Sequence, residues 1–72
     1  MIKKQLGRRI CQLRKGKGLT QEQLAELTEY SVEFVSFIER GINGPSVEGL
    51  ARIANALGVE VMALFDFKKT DG

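Results

Sequence analysis

Between Leu19 and Ser46 the chain has room for only two short helices joined by a tight turn, and this restriction shapes the rest of the fold. Thr20 and Gln23 have the spacing of a capping box, in which the hydroxyl accepts the N–H three residues on and the glutamine side chain reaches back to the cap's own N–H. Ser31 offers the next N-cap. The interval between these caps holds about two turns of helix and a turn of a few residues. A helix pair of that length works as a brace and a probe, the first helix seated on a surface and the second presenting its side chains to it.

The flanking sequence reads as further helix. Leu6, Ile10 and Leu13 recur at i, i+4 and i+7, which predicts a first helix from about Ile2 to Lys15 with one apolar stripe. Gly16 and Gly18 stop it. Leu24, Ala25 and Leu27 are the expected inner face of the second helix, and Val35 and Ile38 that of the third. Gly41, Asn43, Gly44 and Pro45 then break the chain. Ser46 caps a fourth helix, with Glu48 placed to oppose the positive end of its dipole and Leu50, Ile53, Ala54 and Leu57 as its stripe. Gly58 ends that helix, and Val61 to Phe65 make a last short one with only Val59 and Glu60 as a weak cap. No strand alternation, internal repeat or low-complexity tract is present. The expectation is an all-α, compact bundle of about five short helices forming one domain over residues 1–72.

Composition excludes several classes of function. A hydrophobic share of 43% and a charged share of 28% suit an ordinary globule, and no apolar run approaches the roughly 20 residues that span a bilayer. The polar, basic start lacks the apolar core of a signal peptide, so the expected location is the cytoplasm. Cys11 is the only cysteine and forms no intrachain disulfide, and its place opposite the Leu6–Leu13 stripe makes it a partly exposed bystander thiol. With no histidine, no base near that thiol and no metal-ligand spacing, the chain is not expected to be an enzyme or to carry a cofactor or metal. No small-molecule site or membrane anchor is evident. A domain this small leaves much of its surface wet, which favours association into a dimer.

Charge is distributed unevenly. Seven of the eleven cations, Lys3, Lys4, Arg8, Arg9, Arg14, Lys15 and Lys17, lie in the first seventeen positions, where there is no acid. Arg40, Arg52, Lys68 and Lys69 face all nine acids in the remainder, a balance of minus five. A basic amino-terminal segment suits a phosphate backbone, although a solvated helix face has the same composition. On a wheel of 100° per residue, Ser31, Phe34, Val35 and Ile38 gather on one side of the third helix. Glu33, Ser36, Phe37 and Arg40 gather on the other, with Val32 on the flank. An outward face made only for solubility rarely carries an aromatic such as Phe37. The bland alternative is that Phe37 is a stray exposed apolar residue or packs under the loop at Ile42.

The strings GLTQEQLAE, SVEFVSFIERG, PS and LARIANALGV, in that order and spacing, resemble the Cro and phage-repressor type of helix-turn-helix family, which includes controller proteins of restriction-modification systems. The resemblance runs from Leu6 to Phe65. It implies a lambda-repressor-like bundle that binds operator DNA as a two-fold homodimer and regulates transcription. By position, it assigns Gln21 to a DNA phosphate, Val32, Glu33, Ser36 and Phe37 to base edges, and Arg40 and Asn43 to the DNA backbone. It matches Arg14 and Glu39 to a partly buried structural ion pair.

The sequence departs from the family pattern in three ways. Glu29 stands where the turn usually has glycine, so either it adopts a left-handed conformation or the turn is built differently. Tyr30 replaces a smaller apolar residue, and its ring is expected to roof the core with the hydroxyl reaching water. The base-facing set lacks the usual glutamine, arginine or lysine. Val32 and Phe37 suit thymine methyl groups and Glu33 suits cytosine N4, so backbone contacts and DNA shape are expected to carry an appreciable share of recognition. The loop from Gly41 to Gly44 is expected to bring backbone amides to a second phosphate.

The carboxy-terminal segment holds more large apolar groups than a short helix buries. Leu64 and Phe65 are expected to cap the bundle, and Val61, Met62, Phe65 and Phe67 are the candidates for a dimer interface. The competing function is a protein-interaction module on the same scaffold, with Val32, Phe34 and Phe37 as its docking face and Glu29 and Glu33 at the rim.

Overall fold

The computed structural model describes residues 2–68. Four α-helices follow one another, α1 (Ile2–Gly16), α2 (Gln21–Thr28), α3 (Val32–Glu39) and α4 (Val47–Leu57), and a 3-10 helix occupies Val61–Phe65. Among the described residues there is no strand. The element boundaries follow from local hydrogen bonds. Thr20 Oγ1 accepts the Gln23 N–H at 3.0 Å while Gln23 Oε1 accepts the Thr20 N–H at 2.8 Å, closing both halves of the capping box. Ser31 accepts the Phe34 N–H at 3.1 Å, and Ser46 accepts the Gly49 N–H at 3.0 Å. Gly58, at φ 70°, ends α4. The last segment has no side-chain cap, and it winds as a 3-10 helix rather than as α-helix.

Every α-helix contributes to one core. Leu6 and Ile10 from α1, Leu24 and Ala25 from α2, Val35 and Ile38 from α3, and Ile53, Ala54 and Leu57 from α4 meet Leu64 of the 3-10 helix. Leu27 is the exception to the expected inner face, being 56% exposed, and Thr28 is fully buried in its stead. Geometry explains the exchange. Leu24, Ala25 and Thr28 share one side of a helix turning 100° per residue, and Leu27 falls about 100° from its centre. The Thr28 hydroxyl donates to the Leu24 carbonyl at 2.7 Å, so its burial leaves no polar atom unsatisfied.

Two glycines set how closely the helices approach. A Cβ on Gly7 would overlap the backbone carbonyls of Ile38 and Glu39, so α1 crosses α3 with main chain against main chain. A Cβ on Gly49 would overlap the Tyr30 hydroxyl. Tyr30 therefore roofs the core as expected, but its hydroxyl rests on α4 instead of simply reaching water. Its ring lies between Phe34, at 4.7 Å between centroids, and the Arg52 guanidinium, 5.2 Å above it.

The turn between α2 and α3 passes through a left-handed residue that is not glycine. Glu29 takes φ 63° and ψ 21°, the left-handed region, and the Tyr30 N–H returns to the Ala25 carbonyl at 3.0 Å. Arg9 also departs from expectation. It is 7% exposed, and it donates from Nε to the Ala63 carbonyl at 2.8 Å and from Nη1 to Gln12 Oε1 at 2.7 Å. This arginine fastens the 3-10 helix to α1 and is removed from the basic surface on which the sequence placed it.

Candidate nucleic-acid interface

Helix α3 buries Val35, Ile38 and Glu39 and half-buries Phe34, so the opposite side is left outside the protein. Glu33 and Arg40 are exposed, Val32 is 40% exposed, and Ser36 and Phe37 are half-buried. Phe37 does not lie bare. The Arg40 guanidinium sits 5.2 Å from its ring centroid, a cation over an aromatic face. The two side chains thus form one shelf at the end of α3, with a positive group stacked on an apolar one.

Beneath this surface a chain of charged and polar groups ties three helices together. Arg14 of α1 reaches Glu39 of α3 with Nε at 2.6 Å and Nη2 at 3.0 Å, and its Nη1 donates to the Leu19 carbonyl at 2.8 Å. Gln21, the first residue of α2, donates from Nε2 to Glu39 Oε1 at 3.0 Å. The side chains of Arg14 and Glu39 are only 9% and 5% exposed. Burial alone pushes the Glu39 carboxyl up, but the hydrogen bonds from Arg14 and Gln21 and the charge of Arg14 outweigh it and hold the group below its usual value. The hydrogen bond to Glu39 raises Arg14 against the opposing effect of burial. Fork-like pairing of this kind resists rotation, so it fixes the start of α2 relative to α3. Gln21 is held at one amide hydrogen, which leaves its second amide hydrogen and its carbonyl oxygen available to a ligand. Cys11 is half-buried beside this network, with its sulfur 3.5 Å from Arg14 Nη2.

The loop after α3 is arranged differently from the sequence-based expectation. The Gly41 N–H turns back to the Ile38 carbonyl at 3.0 Å, and the N–H groups of Ile42 and Asn43 turn back to the Phe37 carbonyl at 2.9 and 3.4 Å. Those amides close the open carbonyls at the end of α3 and are not presented to a phosphate. Arg40 and the exposed Asn43 side chain remain as the outward groups of this junction.

At the other end of the chain, Leu64 is fully buried and caps the bundle, whereas Phe65 is 40% exposed and does not. Val61 is 40% and Met62 77% exposed. Phe67 packs back on the core, with its ring edge-on to Phe65 at 6.0 Å. The Val61, Met62 and Phe65 side chains leave an apolar patch on the 3-10 helix, and Phe67 belongs mostly to the interior. No helix among the described residues is long and apolar enough to cross a membrane.

Sequence reasoning placed the outward set of α3 by periodicity. It missed the support beneath them, namely Gly7, Gly49, Thr28 and the bond from Gln21 to Glu39. The only early signal for these was the isolated glycine at position 7, inside an otherwise helical run.

Residues 12–64 match the family described as helix-turn-helix. The chain is 38% identical to the HTH-type transcriptional regulator y4dJ of Sinorhizobium fredii, over 88% of this chain and 82% of that one. The crystal structure of the restriction-modification controller protein C.AhdI from Aeromonas hydrophila superposes with a TM-score of 0.84 at 37% identity, covering 86% of this chain and 94% of that one. The crystal structure of SinR, the master regulator for biofilm formation, in complex with DNA superposes with a TM-score of 0.79 at 37% identity, covering 85% of this chain and 98% of that one.

Proposed function

We propose that this chain, which belongs to the helix-turn-helix family, is a transcriptional regulator that lays α3 in the major groove of operator DNA as one half of a two-fold dimer. One observation carries the reading: Val32, Glu33 and Arg40 are exposed and Ser36 and Phe37 half-exposed on the outward side of α3, a helix whose end is locked to α1 and α2 through Glu39. An α-helix with its side chains is about 10 to 12 Å across, which suits a major groove about 12 Å wide. The likeness to SinR, whose structure is a complex with DNA, supports DNA as the ligand. Gln21 donates its second amide hydrogen to one phosphate, and Arg40 and Asn43 meet the backbone at the far end of α3. Val32 and Phe37 face thymine methyl groups, and Glu33 accepts from a cytosine amine.

The Cα atoms extend 29 Å along the longest axis, less than the roughly 34 Å between successive major grooves on one face of DNA. One copy therefore reads one half-site, and a palindromic operator calls for a second. The Val61, Met62 and Phe65 patch is the surface through which the copies would meet. The chain acts as one DNA-binding domain, by occupying its site rather than by catalysis, and in the cytoplasm, where the DNA of a bacterial or phage operator lies.

Selection of bound sequences from random duplex DNA tests the reading. Enrichment of an inverted repeat with half-sites one helical turn apart is the expected outcome. Failure to enrich any sequence, together with no complex at low ionic strength, would refute the assignment to DNA. Sedimentation tests assembly separately, with a dimer expected for the native chain and a monomer for Met62→Asp. A native chain that sediments strictly as a monomer on its operator would remove the dimer.

A further inference from the structure

The loop from Gly41 to Gly44 lies at the end of the groove-facing side of α3, yet three of its amides are spent on α3 itself. With three of the loop's four amides so used, a phosphate arriving there must be held mainly by other groups. The first turn of α1 stands beside the loop. Gly41 adopts φ 76° and approaches α1 so closely that a Cβ on it would lie 2.6 Å from Lys4 Cγ and 2.8 Å from Lys4 Cα. A Cβ on Gly44 would lie 3.9 Å from Lys3 Cγ. Both lysines are exposed, and neither makes an ion pair with a described residue.

The other amino-terminal cations divide in an informative way. Arg8 lines a cleft with Cys11, Gln12, Lys15 and Glu39 and has a partner of its own, while Arg9 is bound to the Ala63 carbonyl and Arg14 to Glu39, so all three are engaged elsewhere. Lys15 and Lys17 stand at the opposite end of α1, where the Lys17 ammonium lies against Gly58 at the end of α4. Lys3 and Lys4 are thus the unpaired pair of the run that the packing brings to the α3 loop. The stem of Lys4 lies along Gly41, which removes part of the freedom that a lysine ordinarily loses on binding.

We propose that Lys3 and Lys4 form a second phosphate-holding edge of the DNA interface, gripping the backbone beside the Gly41–Gly44 loop in place of the loop's own amides. This assignment rests on α3 being the helix that enters DNA. It also gives Gly41 a role beyond its left-handed conformation, because any side chain there would push Lys4 away from the loop.

The test uses the full chain and a fluorescein-labelled duplex of random sequence, with binding followed by anisotropy over a series of NaCl concentrations. Each phosphate contact contributes about 0.9 to the slope of log K against log salt, so Lys3→Gln/Lys4→Gln should make the slope shallower by about 1.8 for each chain bound. Lys3→Arg/Lys4→Arg should restore it. Lys15→Gln/Lys17→Gln removes the same charge from the far end of α1 and should leave the slope as in the native chain. Equal losses from both glutamine pairs would mean that only net charge matters and would overturn the proposal. Native slope in Lys3→Gln/Lys4→Gln, with native binding intact, would overturn it while leaving the reading of α3 standing. Failure of the native chain to bind any duplex would overturn both.

Discussion

Replacing Arg14 with methionine keeps most of the volume of the side chain and removes its charge, leaving Glu39 buried with only Gln21 and the Cys11 thiol as side-chain donors. The pair is nearly shut from water and joined at two atoms, at 2.6 and 3.0 Å. Removing one member of such a pair costs about 3 to 5 kcal/mol, against about 1 or less for an exposed pair. At about 0.05 to 0.15 kcal/mol per residue, a chain of this length has a total stability of about 4 to 11 kcal/mol, so Arg14→Met should stand close to unfolding. Arg14→Met/Glu39→Leu, which removes both charges, should recover most of the loss. Urea melts of these two variants and of Glu39→Leu, followed by circular dichroism, measure all three terms of the cycle.

The pH dependence gives a second readout on the same variants. Glu39 in the native fold lies below its usual value, so its contribution is fully present above the unfolded carboxyl range and is lost as pH falls through the folded value. In Arg14→Met, burial is no longer outweighed by the guanidinium, and the carboxyl should rise above its usual value. The sign then reverses, and the variant should gain stability relative to the native chain on acidification. A loss below about 1 kcal/mol, or an unchanged pH slope, would refute the view that this pair is a buried brace.

Other substitutions test separate parts of the structure. Gly7→Ala places a methyl group into the Ile38 and Glu39 carbonyls and should cost about 1 to 3 kcal/mol by forcing α1 from α3; a melting temperature equal to that of the native chain would contradict the close crossing. Glu29→Gly relieves a left-handed non-glycine residue at φ 63° and, after the greater entropy of glycine in the unfolded chain, should stabilise by about 0.5 to 1 kcal/mol without altering DNA affinity. Glu33→Ala should strengthen binding to random duplexes and relax preference at one base pair of the selected site. Observing neither effect would place Glu33 outside the groove.

What could be read from the sequence was local. The bonds of Thr20 to Gln23, Ser31 to Phe34 and Ser46 to Gly49 each span three residues, so the caps could be placed from spacing alone. With the caps placed, apolar periodicity assigned most of the core and the outward side of α3. It failed at Leu27 because a helix as short as α2 offers few turns from which to find the centre of its face. The Arg14–Glu39 pair was suggested by family resemblance and not by periodicity, since nothing local brings residues on α1 and α3 together.

Tertiary packing decided which polar groups remain available for binding. Arg9 and Lys4 have the same sign and lie in the same basic run, but the bundle brings one to the Ala63 carbonyl and the other to the loop at Gly41. Likewise the loop amides are consumed by the Phe37 and Ile38 carbonyls only because the chain folds back over the end of α3. Sequence thus determined where each helix starts and which side of it is apolar, because those depend on neighbours three or four residues away. The allocation of charges between scaffold and surface depends on partners up to 54 positions distant, and packing the helices is what brings those partners within reach.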